Sequence, residues 1–198
     1  MPNPIETKKD VPAASTSATK PLSFAEAVAR GRVSQEEALA LFDSLPAVEV
    51  DFMLGAWKGA GFPTGHPLDG VLERYHWHGK RFDSAEHVHP LVFARRDGSL
   101  THVNPLMTLP SLGMLERLPA LKSDAAGSAF RALIGLVSTK QSAARLRATT
   151  YRGVTSATMQ YDNLPINDVF RKVDERTVLG VMDLKGVRAP FFFVLRRE

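Results

Sequence analysis

The chain has 198 residues, of which 44% are hydrophobic and 23% charged, and these fractions exclude both a fibrous repeat and a wholly disordered chain. Its formal net charge of +4 is too mild for a protein dedicated to nucleic acid, which carries a denser basic surface. The absence of cysteine excludes disulfides, thiolate nucleophiles and iron–sulfur clusters.

We expect no signal peptide at the amino terminus of this sequence. Residues 1–9 lack the apolar core of a signal peptide, and no window approaches the roughly 18 apolar residues of a membrane-spanning helix. We therefore expect a cytoplasmic protein without a membrane span. Residues 1–21 are rich in Pro, Ala, Ser, Thr and Lys, which predicts a disordered tail. A single β-barrel domain is expected over residues 22–198.

Two short helices are predicted within residues 22–46. Ser23 with Glu26, and Ser34 with Glu37, have the spacing of capping boxes, in which each side chain bonds the other residue's backbone amide. The second helix would end before Pro46 and place four apolar residues on one stripe, namely Ala38, Leu41, Phe42 and Leu45. Two helices of this length cannot form a hydrophobic core of their own, so we expect them to pack on a larger part of the protein.

Strand and turn signals dominate residues 50–110. Residues 53–61 read as a strand with alternate glycines, followed by a short helix near residues 67–75. Further strands are expected around 81–82, 88–94 and 100–103, with a turn at Asp97–Gly98. The next stretch predicts irregular cover at 112–121. Helical segments are predicted at 130–137 and 143–146.

The last third, residues 145–198, has the clearest strand pattern. Residues 147–161 alternate as one long strand, and three more strands follow near 169–173, 178–184 and 190–196. Roughly eight short strands joined mostly by tight turns predict a mainly β structure, an antiparallel β-barrel with short N-terminal and covering helices.

Residues 55–70 read Gly-Ala-Trp-Lys-Gly-Ala-Gly-Phe-Pro-Thr-Gly-His-Pro-Leu-Asp-Gly, and this stretch resembles the GXWXG protein family. The segments 151–154, 161–174 and 178–183 are similar to the domain of unknown function that accompanies it. The resemblance covers about residues 35–198. It implies a lipocalin- or calycin-like barrel that holds a small apolar molecule, and it implies no particular activity. Trp57 is then either a plug for one end of the barrel or a platform on which a ligand stacks.

The same Gly-x-Trp-x-Gly strand also resembles the first strand of nitrobindins, which hold haem through a histidine near the C-terminus. Here the last histidine is His102, so the resemblance does not extend to that ligand, and we expect no cofactor.

All histidines cluster in one part of the chain, at His66, His76, His78, His87, His89 and His102. Two histidines spaced as His87 and His89 share one face of a strand, an arrangement that suits metal binding or proton transfer, yet the spacings match no established metal signature. We therefore predict no metal site and select His66 and His89, each in an apolar stretch beside proline, as candidate catalytic residues. The alternative is histidines that are exposed or structurally hydrogen-bonded.

Two carboxylates interrupt apolar strand faces. Asp168 alternates with Ile166 and Phe170, and Asp183 alternates with Leu179 and Val181. A carboxylate that points into the interior has a raised pKa unless a cation pairs with it. A raised pKa is the condition for a carboxylate to act as a general base near neutral pH. The alternatives are a buried ion pair or a turn cap.

A basic strip runs between Asp124 and Asp162, where no acidic residue occurs, and it contains Arg131, Lys140, Arg145, Arg147 and Arg152. Such a strip is either a solvated face or a site for a phosphate or an acidic partner. Aromatic residues are not interleaved with it, which disfavours stacking on single-stranded nucleic acid.

The leading hypothesis is a barrel that binds a small hydrophobic molecule such as a lipid or terpenoid. The predicted ligand-binding residues are Trp57, Tyr151, Arg152, Met159, Tyr161, Phe191 and Phe193. The alternative is a cofactor-independent isomerase, hydratase or lyase that acts on an apolar carbonyl or epoxide compound, with His66 or His89 paired to Asp168 or Asp183. A third hypothesis is an adaptor that docks a protein partner, and a homodimer is compatible with each of the three.

Overall fold

The computed structural model describes residues 22–108 and 122–198. The predicted tail at 1–21 and the irregular cover at 112–121 lie outside the described residues. Among the helices in the described ranges, none has the length and apolarity required to cross a bilayer.

The two N-terminal helices are confirmed as α1, Phe24–Arg30, and α2, Gln35–Ser44. Each begins with the expected capping box, because Ser23 and Ser34 accept from the N3 amide while the N3 glutamate reaches back. Gly31 ends α1 in the left-handed conformation, with φ of 71°. Three residues of the predicted stripe are buried, namely Ala38, Leu41 and Phe42, whereas Leu45 follows the end of α2 and is half-buried.

Nine strands are found in the described residues. Their bounds are β1 Gly55–Gly61, β2 Trp77–Phe82, β3 Val88–Ala94, β4 Leu100–His102, β5 Ala144–Tyr151, β6 Val154–Tyr161, β7 Ile166–Asp174, β8 Thr177–Leu184 and β9 Phe191–Arg197.

The strands form one antiparallel sheet that closes on itself. Its order is β2-β1-β9-β8-β7-β6-β5-β3-β4, and β2 also pairs with β3. Eight strands therefore make a ring, here called the strand ring, and β4 extends it along β3. The pairing of β3 with β5 is a single bridge, Val88 to Ala144. The prediction of a mainly β, antiparallel structure with short helices is confirmed.

Short helices complete the described chain: α3 Val71–Arg74, α4 Pro105–Thr108, α5 Asp124–Leu133, and 3₁₀ helices Asp51–Met53 and Ile134–Val137. The helix expected near 67–75 is only one turn long, because Gly70 adopts a left-handed φ of 82° immediately before it. The helical interpretation of residues 143–146 is wrong, since β5 begins at Ala144.

The long strand predicted over 147–161 is a hairpin instead. Arg152 and Gly153 have φ of 50° and 79°, so the chain reverses there and β5 pairs with β6 along its whole length. The alternation of side chains is therefore reset at the turn. Met159 and Tyr161 face the interior, whereas Tyr151 packs on the outer face beside α2.

Two hydrophobic clusters lie on opposite faces of the strand ring. The interior cluster contains both tryptophans and most of the large inward side chains, including Phe82, Phe170 and Phe193. The outer cluster lies between α1, α2 and strands β7 to β9. Helices α1 and α2 thus cover part of the outside of the ring, whereas the interior cluster combines strand residues with residues from other segments, such as Met53 and Ile134.

Residues 46–48 form a further link in the ring, here called the wedge segment. The wedge segment hydrogen-bonds β7 through Pro46 O and the Lys172 amide, 2.9 Å apart, and β6 through Val48 O and the Ala157 amide, 2.7 Å apart. Direct pairing of β6 with β7 spans only three residue pairs. The wedge segment therefore occupies the gap that opens between these strands.

Glycines in the wall make room for interior rings. A Cβ on Gly59 would lie 2.0 Å from the Trp77 ring, and one on Gly180 would lie 2.4 Å from the Phe193 ring. We expect Gly59→Ala to lower the free energy of unfolding by about 1–3 kcal/mol, because the added methyl group would overlap the Trp77 ring and force the ring or the strand to shift.

Urea denaturation checks this prediction, with Gly135→Ala as the matched control. A Cβ on Gly135 meets nothing within 4 Å, so this variant should unfold at the wild-type midpoint or slightly above it. Equal stability of the two variants would contradict the close contact of β1 with Trp77.

Candidate functional site

A buried ion pair lies inside the strand ring. Lys80 Nζ on β2 is 2.7 Å from Asp168 Oδ2 on β7, and the two side chains are only 3% and 2% exposed. Asp168 shares the interior face of β7 with Ile166 and Phe170, as its alternation predicts. Charges are rarely buried to this extent unless they are paired, so the pair fixes the position of both side chains.

A bulge at Gly79 in β2 brings Trp77 to the same side of the strand as Lys80. The register with β3 shifts on both sides of Gly79, so Trp77 and Lys80 both contact interior residues although they are three positions apart. Gly79 has φ of 153°, and a Cβ there would lie 1.9 Å from the Trp57 carbonyl oxygen. Only glycine fits this close approach of β1 and β2.

Aromatic rings surround the Lys80 amine. Its Nζ lies 5.0 Å from the ring centroid of Phe193, 5.5 Å from that of Trp77 and 5.9 Å from that of Tyr161. These distances are typical of cation–π contacts, which strengthen when the cation is desolvated. The amine also donates to the Pro90 carbonyl at 3.2 Å.

Burial dominates the electrostatics of this site. Desolvation raises the pKa of Asp168 above its ordinary value, and the facing Lys80 charge opposes that rise only in part. Burial also raises the pKa of Tyr161 well above its ordinary value, with a further rise from the nearby Asp168 charge. The pair therefore lies in surroundings that disfavour any uncompensated charge.

Two polar atoms of this site have no hydrogen-bond partner in the described part of the chain. They are Asp168 Oδ1, the oxygen that does not face Lys80, and Trp77 Nε1, an indole N–H. Both are buried. Buried polar atoms are normally satisfied by protein, water or a ligand, so these two atoms are candidates for polar contact with a bound molecule.

The predicted catalytic histidines lie elsewhere. His66 is buried near Phe191, with ring centroids 5.4 Å apart, and its Nδ1 accepts from the Leu68 amide at 3.1 Å. His89 stacks on His102 with centroids 3.8 Å apart, and its Nε2 lies 3.4 Å from Asp83 Oδ2. No contact joins either histidine to Asp168, whose partner is Lys80.

Three other predicted site residues lie outside the ring. Asp183 shares the outer face of β8 with Leu179 and Val181, so it does not point into the interior as the catalytic hypothesis requires. Arg152 makes two hydrogen bonds to Asp43, at 2.7 and 2.6 Å, at the tip of the β5–β6 hairpin. With Tyr151 on the outer face as well, these residues do not line the interior.

The remaining predicted ligand-binding residues face the interior, namely Trp57, Met159, Tyr161, Phe191 and Phe193. Trp57 is fully buried, its indole N–H donates to the Met53 carbonyl at 2.7 Å, and the Arg197 guanidinium lies 4.3 Å from its ring. These contacts agree with the hypothesis of a plug at one end of the ring.

The basic strip is largely paired. Arg145 contacts Asp162, Arg147 contacts Glu86, and Arg152 contacts Asp43. Arg131 contacts His76 at 3.2 Å. Such pairs are typical of a solvated surface. Within the described ranges, no three His, Asp or Glu side chains are grouped in a way that would hold a metal ion.

Lys80 and Trp77 are the functional candidates that the sequence did not reveal. Lys80 alternates with Phe82, so the same signal that identified Asp168 was present. The predicted strand at 81–82 was too short to include this alternation, because β2 begins at Trp77. The inward direction of Trp77 could not be predicted from alternation, because the bulge at Gly79 interrupts it.

Comparisons with known proteins match both halves of the chain. Residues 40–98 match a family model described as "GXWXG protein", and residues 142–197 match one described as "Domain of unknown function (DUF4334)". The structure is similar to a crystal structure of a protein from Thermomonospora curvata, with 34% identity and a TM-score of 0.64, over 88% of this chain and 95% of that one. No curated protein is significantly similar in sequence.

The ion pair yields a double-mutant prediction. Asp168→Leu alone should destabilise the protein by about 3–5 kcal/mol, because it leaves the Lys80 charge buried without its partner. Lys80→Met combined with Asp168→Leu should recover most of that loss, since it removes both desolvation costs. Guanidinium denaturation of the wild type, both single variants and the double variant measures the coupling, and additive losses would contradict a buried pair.

The stacked histidines yield a pH prediction. Burial lowers the pKa of His89, and burial together with the neighbouring His89 charge lowers the pKa of His102. The unfolded chain therefore binds protons more readily than the native state, and stability should fall as the pH drops from about 6.5 toward the lowered pKa values.

Urea denaturation at pH 7.5 and at pH 5 tests this prediction, and His102→Gln should reduce the loss between the two. His87→Gln, at an exposed histidine near the same strand, serves as the control and should retain most of the loss. An equal loss in the His102 variant and the wild type would show that the stacked pair does not cause it.

Proposed function

This chain belongs to the GXWXG protein family and carries its companion domain of unknown function, and we propose that the strand ring formed by these two segments binds a small hydrophobic molecule in its interior. Strands β1 to β3 come from the first matched segment and β5 to β9 from the second. The proposed site therefore needs both segments.

The observation that carries this proposal is the buried Lys80–Asp168 pair among aromatic rings. A core built only for stability gains little from such a pair, because removing two ions from water costs as much as their attraction returns, or more. Ligand sites, in contrast, combine apolar walls with a few convergent polar groups that orient the bound molecule. The interior of the strand ring has this composition.

Small side chains on two neighbouring strands support the same proposal. Ala144 and Ala157 face the interior from β5 and β6, and both are fully buried. Eight strands enclose enough width for one small ligand when part of the wall carries small residues. The aromatic rings on the opposite strands, at Trp77 and Phe193, would then contact the apolar body of the molecule.

A second candidate function is cofactor-independent acid–base catalysis on an apolar carbonyl or epoxide compound at the same site. The observation that favours it is the raised pKa of Asp168 beside a cationic amine. Lys80 and Asp168 would supply the cation and the base, in place of the histidine–aspartate pair expected from the sequence. Turnover of a bound compound, followed by NMR, separates this candidate from binding alone.

Native mass spectrometry of the freshly purified full chain, followed by displacement of a polarity-sensitive dye, tests the proposal. We expect a co-purifying molecule of low mass, or displacement of the dye by terpenoids or medium-chain lipids. Lys80→Met with Asp168→Leu should weaken displacement at least about tenfold, because the orienting groups are lost.

Arg152→Gln, on the outer face, is the control and should displace the dye as the wild type does. Absence of any displacement in the wild type would refute the proposal. The cytoplasmic location and the homodimer stay predictions.

A further inference from the structure

Building on the proposed function, we infer that the bound molecule carries a hydroxyl group and that Asp168 Oδ1 and Trp77 Nε1 are the atoms that recognise it. Asp168 contacts Lys80 Nζ directly and the Trp77 ring centroid lies 5.5 Å from the same nitrogen, so both residues lie beside the Lys80 amine.

Asp168 requires a donor. Its Oδ2 is occupied by the Lys80 amine at 2.7 Å, while its Oδ1 is buried and has no partner in residues 22–108 and 122–198. An ionised carboxylate only accepts hydrogen bonds, and an oxygen left without a donor in a dry interior is costly. The group that completes this site must therefore present an N–H or an O–H.

Trp77 requires an acceptor. An indole nitrogen only donates, and in this residue it is buried without a partner in the described ranges. The other tryptophan provides an internal comparison, because Trp57 Nε1 donates to the Met53 carbonyl at 2.7 Å. Within the described ranges, the fold thus satisfies the indole of Trp57 and leaves that of Trp77, beside the ion pair, without a partner.

A hydroxyl group meets both requirements with one small neutral group, since it donates once and accepts twice. An ether or a ketone has no proton for Asp168 Oδ1. A carboxylate would add a second negative charge beside Asp168, and an amine would add a second cation beside Lys80. The chemistry of the site therefore selects an apolar alcohol among small hydrophobic molecules.

The experiment compares geraniol with geranyl methyl ether and geranic acid, three probes that share one apolar body. Affinities for the full chain are measured at pH 7.5 by competition with the polarity-sensitive dye. We expect geraniol to bind at least about tenfold more tightly than the ether, because the ether leaves Asp168 Oδ1 without a donor. Geranic acid should bind more weakly than geraniol.

Trp77→Phe keeps an aromatic ring at this position and removes the N–H together with part of the apolar area of the indole, and that lost area affects geraniol and its methyl ether alike. This variant should lower the affinity for geraniol more than the affinity for the ether, so that the ratio of the two falls several-fold. Arg152→Gln should leave the ratio unchanged. Circular dichroism and the dye affinity itself show whether the Trp77 variant is folded, and Trp77→Met, which also lacks an N–H or O–H donor on its side chain, provides a second test if the phenylalanine variant is not.

The outcomes separate this inference from the proposed function. Equal affinity for the alcohol and the ether, or a ratio that the Trp77 variants do not change, overturns the hydroxyl site and leaves a general apolar site in place. Failure of all three probes and of other terpenoids and lipids to displace the dye overturns the proposed function itself.

Discussion

The buried ion pair of Lys80 and Asp168 constrains the structure around it, because both side chains must be held in contact inside the strand ring. Two opposite charges inside a protein are tolerated only when they lie in direct contact, because their attraction must offset the cost of removing both from water. Lys80 faces inward by alternation with Phe82, the bulge at Gly79 brings Trp77 to the same side, and the glycines at 59 and 180 let the Trp77 and Phe193 rings lie against the wall. The Trp77 and Phe193 rings then add a cation–π attraction to the Lys80 amine.

The ion pair also links the two matched segments. Lys80 lies in the segment 40–98 and Asp168 in the segment 142–197, so their contact joins a residue of one matched segment to a residue of the other. Strand β1 pairs with β9 and β3 pairs with β5, which closes the ring at two places. Neither segment alone brings the two charges together.

Local signals in the sequence predicted local structure well. The capping boxes at Ser23 and Ser34 specify helix starts through adjacent residues, and the alternation around Asp168 placed its carboxylate in the interior correctly.

Features that depend on distant partners could not be predicted in this way. The turn at Arg152 and Gly153 interrupts an alternation that continues through it, so the pattern indicated one strand and placed Tyr151 on the wrong face. Likewise, nothing local to Asp168 indicates that its partner is Lys80, 88 positions earlier in the numbering.

The wedge segment has a consequence for shortened forms of this protein. Residues 46–48 hydrogen-bond to β6 on one side and to β7 on the other, where these strands pair over only three residue pairs. Removing the chain up to residue 49 would expose unpaired amides and carbonyls along both strands, together with the apolar surface that α1 and α2 cover. A fragment that starts at the Gly-x-Trp-x-Gly strand would then offer two free edges to other molecules, and self-association by strand addition would compete with folding.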